Sequence, residues 1–199
     1  LAAIAHVQRL CQAHGQGAAG ETPAPALRAV GIVGAGIMGT AVAVLNLSRG
    51  IRVCMADSDP GALATVERRI LAELGEIPQQ LFPDGQPPLI CGADDAQLGQ
   101  CDLIIESIIE ALEPKQQLFA RLEPHLAPAT VRASNTSTIP IGRIAAKLAD
   151  PARFCGIHFF HPVARRPLLE VIHAKATSQS AVAKAVGFGR QVGLMPIVV

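Results

Sequence analysis

One histidine and one glutamate stand where proton chemistry is expected. His158 lies near the end of the apolar run Phe154-Cys155-Gly156-Ile157-His158-Phe159-Phe160, and Glu170 follows twelve residues later within Leu168-Leu169-Glu170-Val171-Ile172. Both runs read as strands, over Arg153–Phe159 and Leu168–His173, joined by a loop containing Pro162 and Pro167. Residues two apart on a strand share a face, so Glu170 shares one with Leu168 and Ile172 and is expected to point inward or toward a covered cleft. A carboxylate left unpaired there is costly, which calls for a partner. If the second strand returns along the first, that partner is His158. A neighbouring acid fixes the tautomer of an imidazole and stabilises its protonated form, a familiar arrangement for a general base. A third polar group, Ser137, sits in Ser134-Asn135-Thr136-Ser137-Thr138 just past the apolar run Thr130–Ala133. Its hydroxyl is suited to hold a substrate oxygen. By residue type alone, a structural histidine and an ordinary polar turn fit these positions too.

The elements that would position these groups begin with Val30-Gly31-Ile32-Val33, a short buried strand that runs into glycines 34, 36 and 39. Gly34, Gly36 and Gly39 have the G-x-G-x-x-G spacing: a tight turn, a close backbone approach to a pyrophosphate, and close packing of helix on strand. The helix opens at Ile37 and Met38, where free N–H groups and a partial positive charge face a phosphate. Ile51–Ala56 is the next strand and ends at Asp57, placed to accept hydrogen bonds from ribose hydroxyls. The competing reading is a structural turn with Asp57 as the N-cap of the following helix. Ser58 and Asp59 follow, with no arginine there to meet a 2′-phosphate, so the sequence favours NAD over NADP.

Strands and helices then alternate. Helices are expected at Pro60–Leu74, Pro114–Leu126, Ile141–Leu148 and Ser178–Val192. Further strands are expected at Leu89–Cys91, Asp102–Glu106 and Pro196–Val199. The pattern predicts an α/β fold of Rossmann type, a doubly wound, mostly parallel sheet with helices on both faces. Residues 1–27 read as an N-terminal helix (1–14) and a Gly/Ala/Pro-rich linker, and 28–199 as the dinucleotide-binding domain. A start at Leu1 suggests a piece of something longer.

At 199 residues and a formal charge of +1, the chain offers no electrostatic case for nucleic acid. No uncharged apolar run approaches a membrane span. Five scattered cysteines without a C-x-x-C pair argue for a reducing compartment and against a zinc site or a disulfide framework, so no metal is expected. The N-terminal segment has one arginine and little serine, which disfavours a transit peptide.

Four stretches together resemble the NAD-binding domain of the L-3-hydroxyacyl-CoA dehydrogenases: Gly34-Ala35-Gly36-Ile37-Met38-Gly39, Asp102-Leu103-Ile104-Ile105-Glu106, Ala133-Ser134-Asn135-Thr136-Ser137 and Gly156-Ile157-His158-Phe159-Phe160. The resemblance implies NAD-dependent oxidation of an L-3-hydroxyacyl-CoA to the 3-ketoacyl-CoA, a step of fatty-acid β-oxidation. It implies His158 as general base, Glu170 as the residue that orients it, and Ser137 as the substrate-binding serine. It also implies that Glu110, Lys115 and Asn135 line the NAD site with the glycine loop. Lys115 lies in the first turn of its helix, where a ligand contact and a solvated side chain are both open readings. The chain departs from the family in His161, usually Asn, and in Thr138, usually Ser. Family members continue into an all-helical domain, which this chain lacks and which carries another active-site Asn, much of the acyl-CoA cleft and the dimer interface. The implied partners are an acyl-CoA substrate and, for the full-length protein, further copies or a multifunctional complex, since the N-terminal helix and linker resemble the region after a hydratase-type domain. A bacterial cytoplasm is expected over a mitochondrion or peroxisome. The alternatives are another Rossmann hydroxyacid dehydrogenase, which would use a lysine on a later helix, or a non-catalytic dinucleotide-binding relative.

Overall fold

The computed structural model describes residues 26–199; the helix expected at 1–14 and most of the linker lie outside them. Eight strands form one sheet: β1 (Ala29–Val33), β2 (Arg52–Ala56), β3 (Leu89–Cys91), β4 (Leu103–Glu106), β5 (Val131–Ser134), β6 (Phe154–Phe159), β7 (Leu168–Ile172) and β8 (Met195–Val198). Six α-helices connect them: α1 (Ile37–Leu47), α2 (Pro60–Leu74), α3 (Asp95–Gly99), α4 (Leu112–Leu122), α5 (Ile141–Ala145) and α6 (Gln179–Gln191). The sheet order is β3-β2-β1-β4-β5-β6-β7-β8. All neighbours pair in parallel except β6 and β7, which are antiparallel. This is the Rossmann-type doubly wound architecture expected from the strand–helix alternation.

Alternate residues of the central strands explain why both faces are covered. Val30, Ile32, Val53, Met55, Leu103 and Ile105 join a core with α1, α2 and α6. Val33, Cys54 and Ile104 join a second core with α3, α4 and α5 on the other face. A strand buried on both sides reads as a continuous apolar run, which is what Leu103-Ile104-Ile105 is. Each such fully buried aliphatic side chain contributes about 1.5–3 kcal/mol relative to an exposed one. On the α4 face, Phe119 meets Phe154 edge to face at 4.7 Å between ring centres.

Several boundaries differ from the sequence expectation. The helix expected at Pro114–Leu126 starts at Leu112 and ends at Leu122, because Pro124 cannot continue it and the chain passes into a 3₁₀ turn at Glu123–His125. Helix α3 has only five residues, too few for a periodic signal. A capping box marks it: Asp94 accepts from the Gln97 amide, and the Gln97 side chain accepts from the Asp94 amide. At the start of α2 the capping residue is Asp59, which accepts from the Gly61 amide at 2.8 Å, with Pro60 in the first turn. Asp57 is therefore not the N-cap.

The order of strands reverses at β1, with β2 on one side and β4 on the other. The carboxyl ends of these strands frame the crevice where ligands bind in such sheets. Four of the cysteines fall among the described residues; all are free, and Cys54, Cys101 and Cys155 are buried. Burial pushes the Cys155 thiol up to about 12, so it behaves as a small apolar side chain. Among the described residues no helix is long and apolar enough to cross a membrane.

Candidate functional site

The antiparallel pairing of β6 and β7 puts His158 directly opposite Glu170 in register. Their side chains meet, with His158 Nδ1 2.7 Å from Glu170 Oε2. A carboxylate only accepts, so the proton of the neutral ring belongs on Nδ1 and the Nε2 lone pair is left free. Along β7 the residues Leu169 and Val171 are buried, whereas Leu168, Glu170 and Ile172 are half-buried. Glu170 therefore does not point into the core. It lies on the partly open face, 29% exposed against 19% for His158, which leaves the pair reachable. Phe160 packs edge to face on the imidazole at 4.7 Å. The neighbouring Phe159 amide donates to Asn135 Oδ1 at 2.9 Å, which ties the end of β6 to the loop after β5.

That loop is organised by two glutamates. Glu106 ends β4 and is fully buried; its Oε1 accepts from Lys115 Nζ at 2.5 Å and from the Ile108 amide at 2.7 Å, and its Oε2 accepts from Ser134 Oγ at 2.6 Å. Lys115 is fully buried too and lies 3.3 Å from Glu110. It is thus not a solvated surface lysine. It stands behind the crevice, and its charge reaches the surface through Glu110. Glu110 Oε1 accepts from the hydroxyls of Thr136 and Thr138 at 2.5 and 2.9 Å and from the amides of Ser137 and Thr138 at 3.2 Å each. Desolvation opposes ionisation of Glu110, but the hydrogen bonds from Thr136 and Thr138 and the Lys115 charge outweigh it and bring the carboxyl down to about 2. Thr138, at the position of a family serine, keeps the hydroxyl that this network uses. Ser137 is exposed, with its amide held and its hydroxyl free among the described residues. Asn135 bridges three strand ends, since its amide donates to the Glu106 carbonyl at 2.8 Å and its Nδ2 to Ser107 Oγ at 3.2 Å.

The glycine loop follows β1. Gly34 has φ +113°, and a Cβ there would stand 2.5 Å from the Ser107 carbonyl oxygen; a Cβ on Gly39 would stand 1.8 Å from the Gly34 oxygen. Each of these positions thus admits only glycine. Around Gly36, by contrast, a Cβ would meet nothing within 4 Å, and no side chain caps α1. The first amides of the helix, from Ile37 and Met38, have no intrahelical acceptors. Asp57 Oδ2 accepts from the Ala35 amide at 2.6 Å and Oδ1 from the Asp59 amide at 2.9 Å, which orients the carboxylate at the end of β2. Open space over Gly36, uncapped amides and an oriented acid fit a dinucleotide: pyrophosphate at the amides, adenosine ribose at Asp57. Ile37 and Ile109, 72% and 71% exposed, stand at the same edge as uncovered apolar side chains.

A match to the family described as 3-hydroxyacyl-CoA dehydrogenase, NAD binding domain, covers residues 29–199. The chain belongs to this NAD-binding family. FadB2 of M. tuberculosis is similar at 30% identity over 88% of the chain, with a TM-score of 0.78. 3-Hydroxybutyryl-CoA dehydrogenase from Escherichia coli K12 is similar at 31% identity over 87% of it, and the dehydrogenase part of a C. elegans multifunctional enzyme at 27% over 96%, both with TM-scores of 0.78. The chain spans 64%, 38% and 48% of those three proteins respectively. Its cofactor is NAD, as the sequence reading expected from Asp57 and the absence of an arginine beside it.

Two features of the site escaped sequence reading. The Glu106–Lys115 ion pair had a visible signal, an acid closing an apolar strand, but not a visible partner. Arg69, on α2, donates through Nη2 to the Ala35 carbonyl of the glycine loop. Nothing in the helical pattern distinguishes it from the neighbouring Arg68. A cavity of about 240 Å³ between Gly99–Asp102, His125–Thr130 and Lys184 opens at the opposite, amino edge of the sheet and contains none of these residues.

Proposed function

We propose that the full-length protein oxidises an L-3-hydroxyacyl-CoA to the 3-ketoacyl-CoA, a reaction of fatty-acid β-oxidation. The observation that carries the proposal is the His158–Glu170 hydrogen bond of 2.7 Å at the same sheet edge as the glycine loop, with Nε2 left free. NAD held by Gly34, Gly36, Ile37, Met38, Gly39 and Asp57 supplies the hydride acceptor. His158 Nε2 takes the proton of the 3-hydroxyl. Glu170 accepts from Nδ1–H throughout and stabilises the imidazolium that results. Ser137 donates to the reacting oxygen, from a loop that Glu110 and Lys115 hold in place. Asn135 secures the end of β6 and would line the NAD site. The likeness to 3-hydroxybutyryl-CoA dehydrogenase supports an acyl-CoA substrate, and the likeness to part of a multifunctional enzyme supports a partner domain or oligomer in the full-length protein. The bacterial relatives favour a bacterial cytoplasm.

The test is reduction of NAD by the full-length protein supplied with L-3-hydroxybutyryl-CoA, followed at the NADH absorbance, beside a calorimetric titration with NAD. Turnover with the L isomer and none with the D isomer is expected. NAD binding without turnover of any hydroxyacyl-CoA would replace this reading with a non-catalytic one. Oxidation of a free hydroxyacid in preference would replace it with another hydroxyacid dehydrogenase.

A further inference from the structure

We infer that Arg69 is a positioning residue for the pyrophosphate of the dinucleotide, acting from behind the glycine loop. It rests on the assignment of that loop to NAD. Arg69 lies twelve residues beyond Asp57, in the third turn of α2, and reaches back to the loop, where its Nη2 donates to the Ala35 carbonyl. The amide of the same residue, Ala35, donates to Asp57. Ala35 is therefore held through both of its backbone polar groups, by the acid at the end of β2 on one and by the guanidinium of α2 on the other.

The consequence follows from peptide geometry. In a planar trans peptide the carbonyl and the next N–H point to opposite sides. With the Ala35 carbonyl turned to Arg69, the Gly36 N–H is turned the other way, and among the described residues it has no acceptor. It lies in the open region around Gly36, next to the uncapped amides that begin α1. Arg69 thus fixes the peptide that supplies the first donor of the phosphate cradle. A loop already fixed in its bound form loses less conformational entropy when the ligand arrives.

The charge of Arg69 contributes as well. Among the described residues no carboxylate lies within 4 Å of its guanidinium, and Nε is buried without a partner. An arginine that only fastened a helix to the surface would be expected in an ion pair, as Arg52 is with Asp84 and Arg121 with Asp95. Here the guanidinium has no ion-pair partner among the described residues and stands beside a loop that must receive two negative phosphates, where it adds to the partial charge of the α1 N-terminus.

The experiment is calorimetric titration of NAD into the chain and into its Arg69→Ala and Arg69→Lys variants, at low and high salt, with a melting curve for each. Arg69→Ala is expected to bind NAD about tenfold more weakly, the equivalent of one lost charge-assisted contact. Its affinity should also fall less with salt than that of the parent. Arg69→Lys, which keeps the charge and one donor, should lie closer to the parent, and all three should melt within a few degrees of one another. Equal affinity of Arg69→Ala and the parent overturns the inference. So does equal weakening in the lysine and alanine variants, since that is the mark of lost packing. If the parent itself fails to bind NAD, the loop assignment falls and takes this inference with it, whereas loss confined to the comparison of variants leaves that assignment standing.

Discussion

Glu106–Lys115 and His158–Glu170 are both pairs of a carboxylate and a basic side chain at the carboxyl edge of one sheet, yet they differ in every respect that governs reactivity. Glu106 and Lys115 are fully buried, and both carboxylate oxygens are occupied by Lys115, Ser134 and the Ile108 amide. His158 and Glu170 are 19% and 29% exposed, and one ring nitrogen has no partner among the described residues. A fully buried pair whose charged atoms are all engaged can only hold structure together. A pair with one unused lone pair facing a crevice can exchange a proton. The cause is strand position: β4 is central and covered on both faces, whereas β6 and β7 form the antiparallel pair near one edge, with a half-open face.

The contrast breaks first at His158. In the full-length protein His158→Gln is expected to lower turnover by about 10²–10⁴-fold. NAD affinity, measured by calorimetry, should be unchanged because the glycine loop and Asp57 are untouched. Substantial remaining activity would move the base elsewhere.

Lys115→Met should act in the opposite manner, on stability. It leaves the Glu106 carboxylate buried without its cation, at a cost of about 3–5 kcal/mol. Chemical denaturation would show this, and adding Glu106→Gln to the same variant should recover part of the loss because no charge then remains buried. A Lys115→Met chain as stable as its parent would mean that the ion pair is not the lock described above.

The smallest effect belongs to Glu110, which joins Lys115 to the loop at Thr136, Ser137 and Thr138. Its carboxyl is lowered from 4.5 to about 2, so the ionised form is favoured in the folded chain. The resulting stabilisation is complete above the unfolded value and is lost as pH falls from about 4.5 toward about 2. Because the side chain is 38% exposed, the tether is modest, and it should show locally. Amide exchange at Ser137 and Thr138 should quicken over that interval beyond its intrinsic pH dependence, and Glu110→Gln should abolish the extra change. Identical profiles in the parent and the variant would show that Glu110 does not restrain the loop at Ser137 and Thr138.

Much of this was readable in the residues because the signals are local. Gly34, Gly36 and Gly39 followed by a helix, and an acid at the end of the next strand, are requirements imposed on one short stretch by backbone sterics and by a phosphate. The apolar triplet Leu103-Ile104-Ile105 announces a strand covered on both sides, and from such units the order of elements and the fold class follow. The spacing between His158 and Glu170 was visible as well, along with two polar residues in apolar strands, each in need of a partner.

What remained hidden depends on which element lies beside which. Glu170 read as pointing inward or toward a covered cleft because its neighbours at alternate positions are Leu168 and Ile172; the buried face of β7 is the one carrying Leu169 and Val171, which removes the first alternative. Alternation of apolar residues is silent when both faces are apolar, and packing against α6 chose between them. Lys115 could not be told from a solvated lysine until α4 was laid across the end of β4 and Glu106 took its charge. Arg69 met the glycine loop only when α2 was folded back against α1. Local stereochemistry is written residue by residue and determines the strands, the turn and the helix caps. Burial, the pairing of charges and the exposure of a lone pair arise between segments far apart in the chain, and they exist only once the sheet order is set.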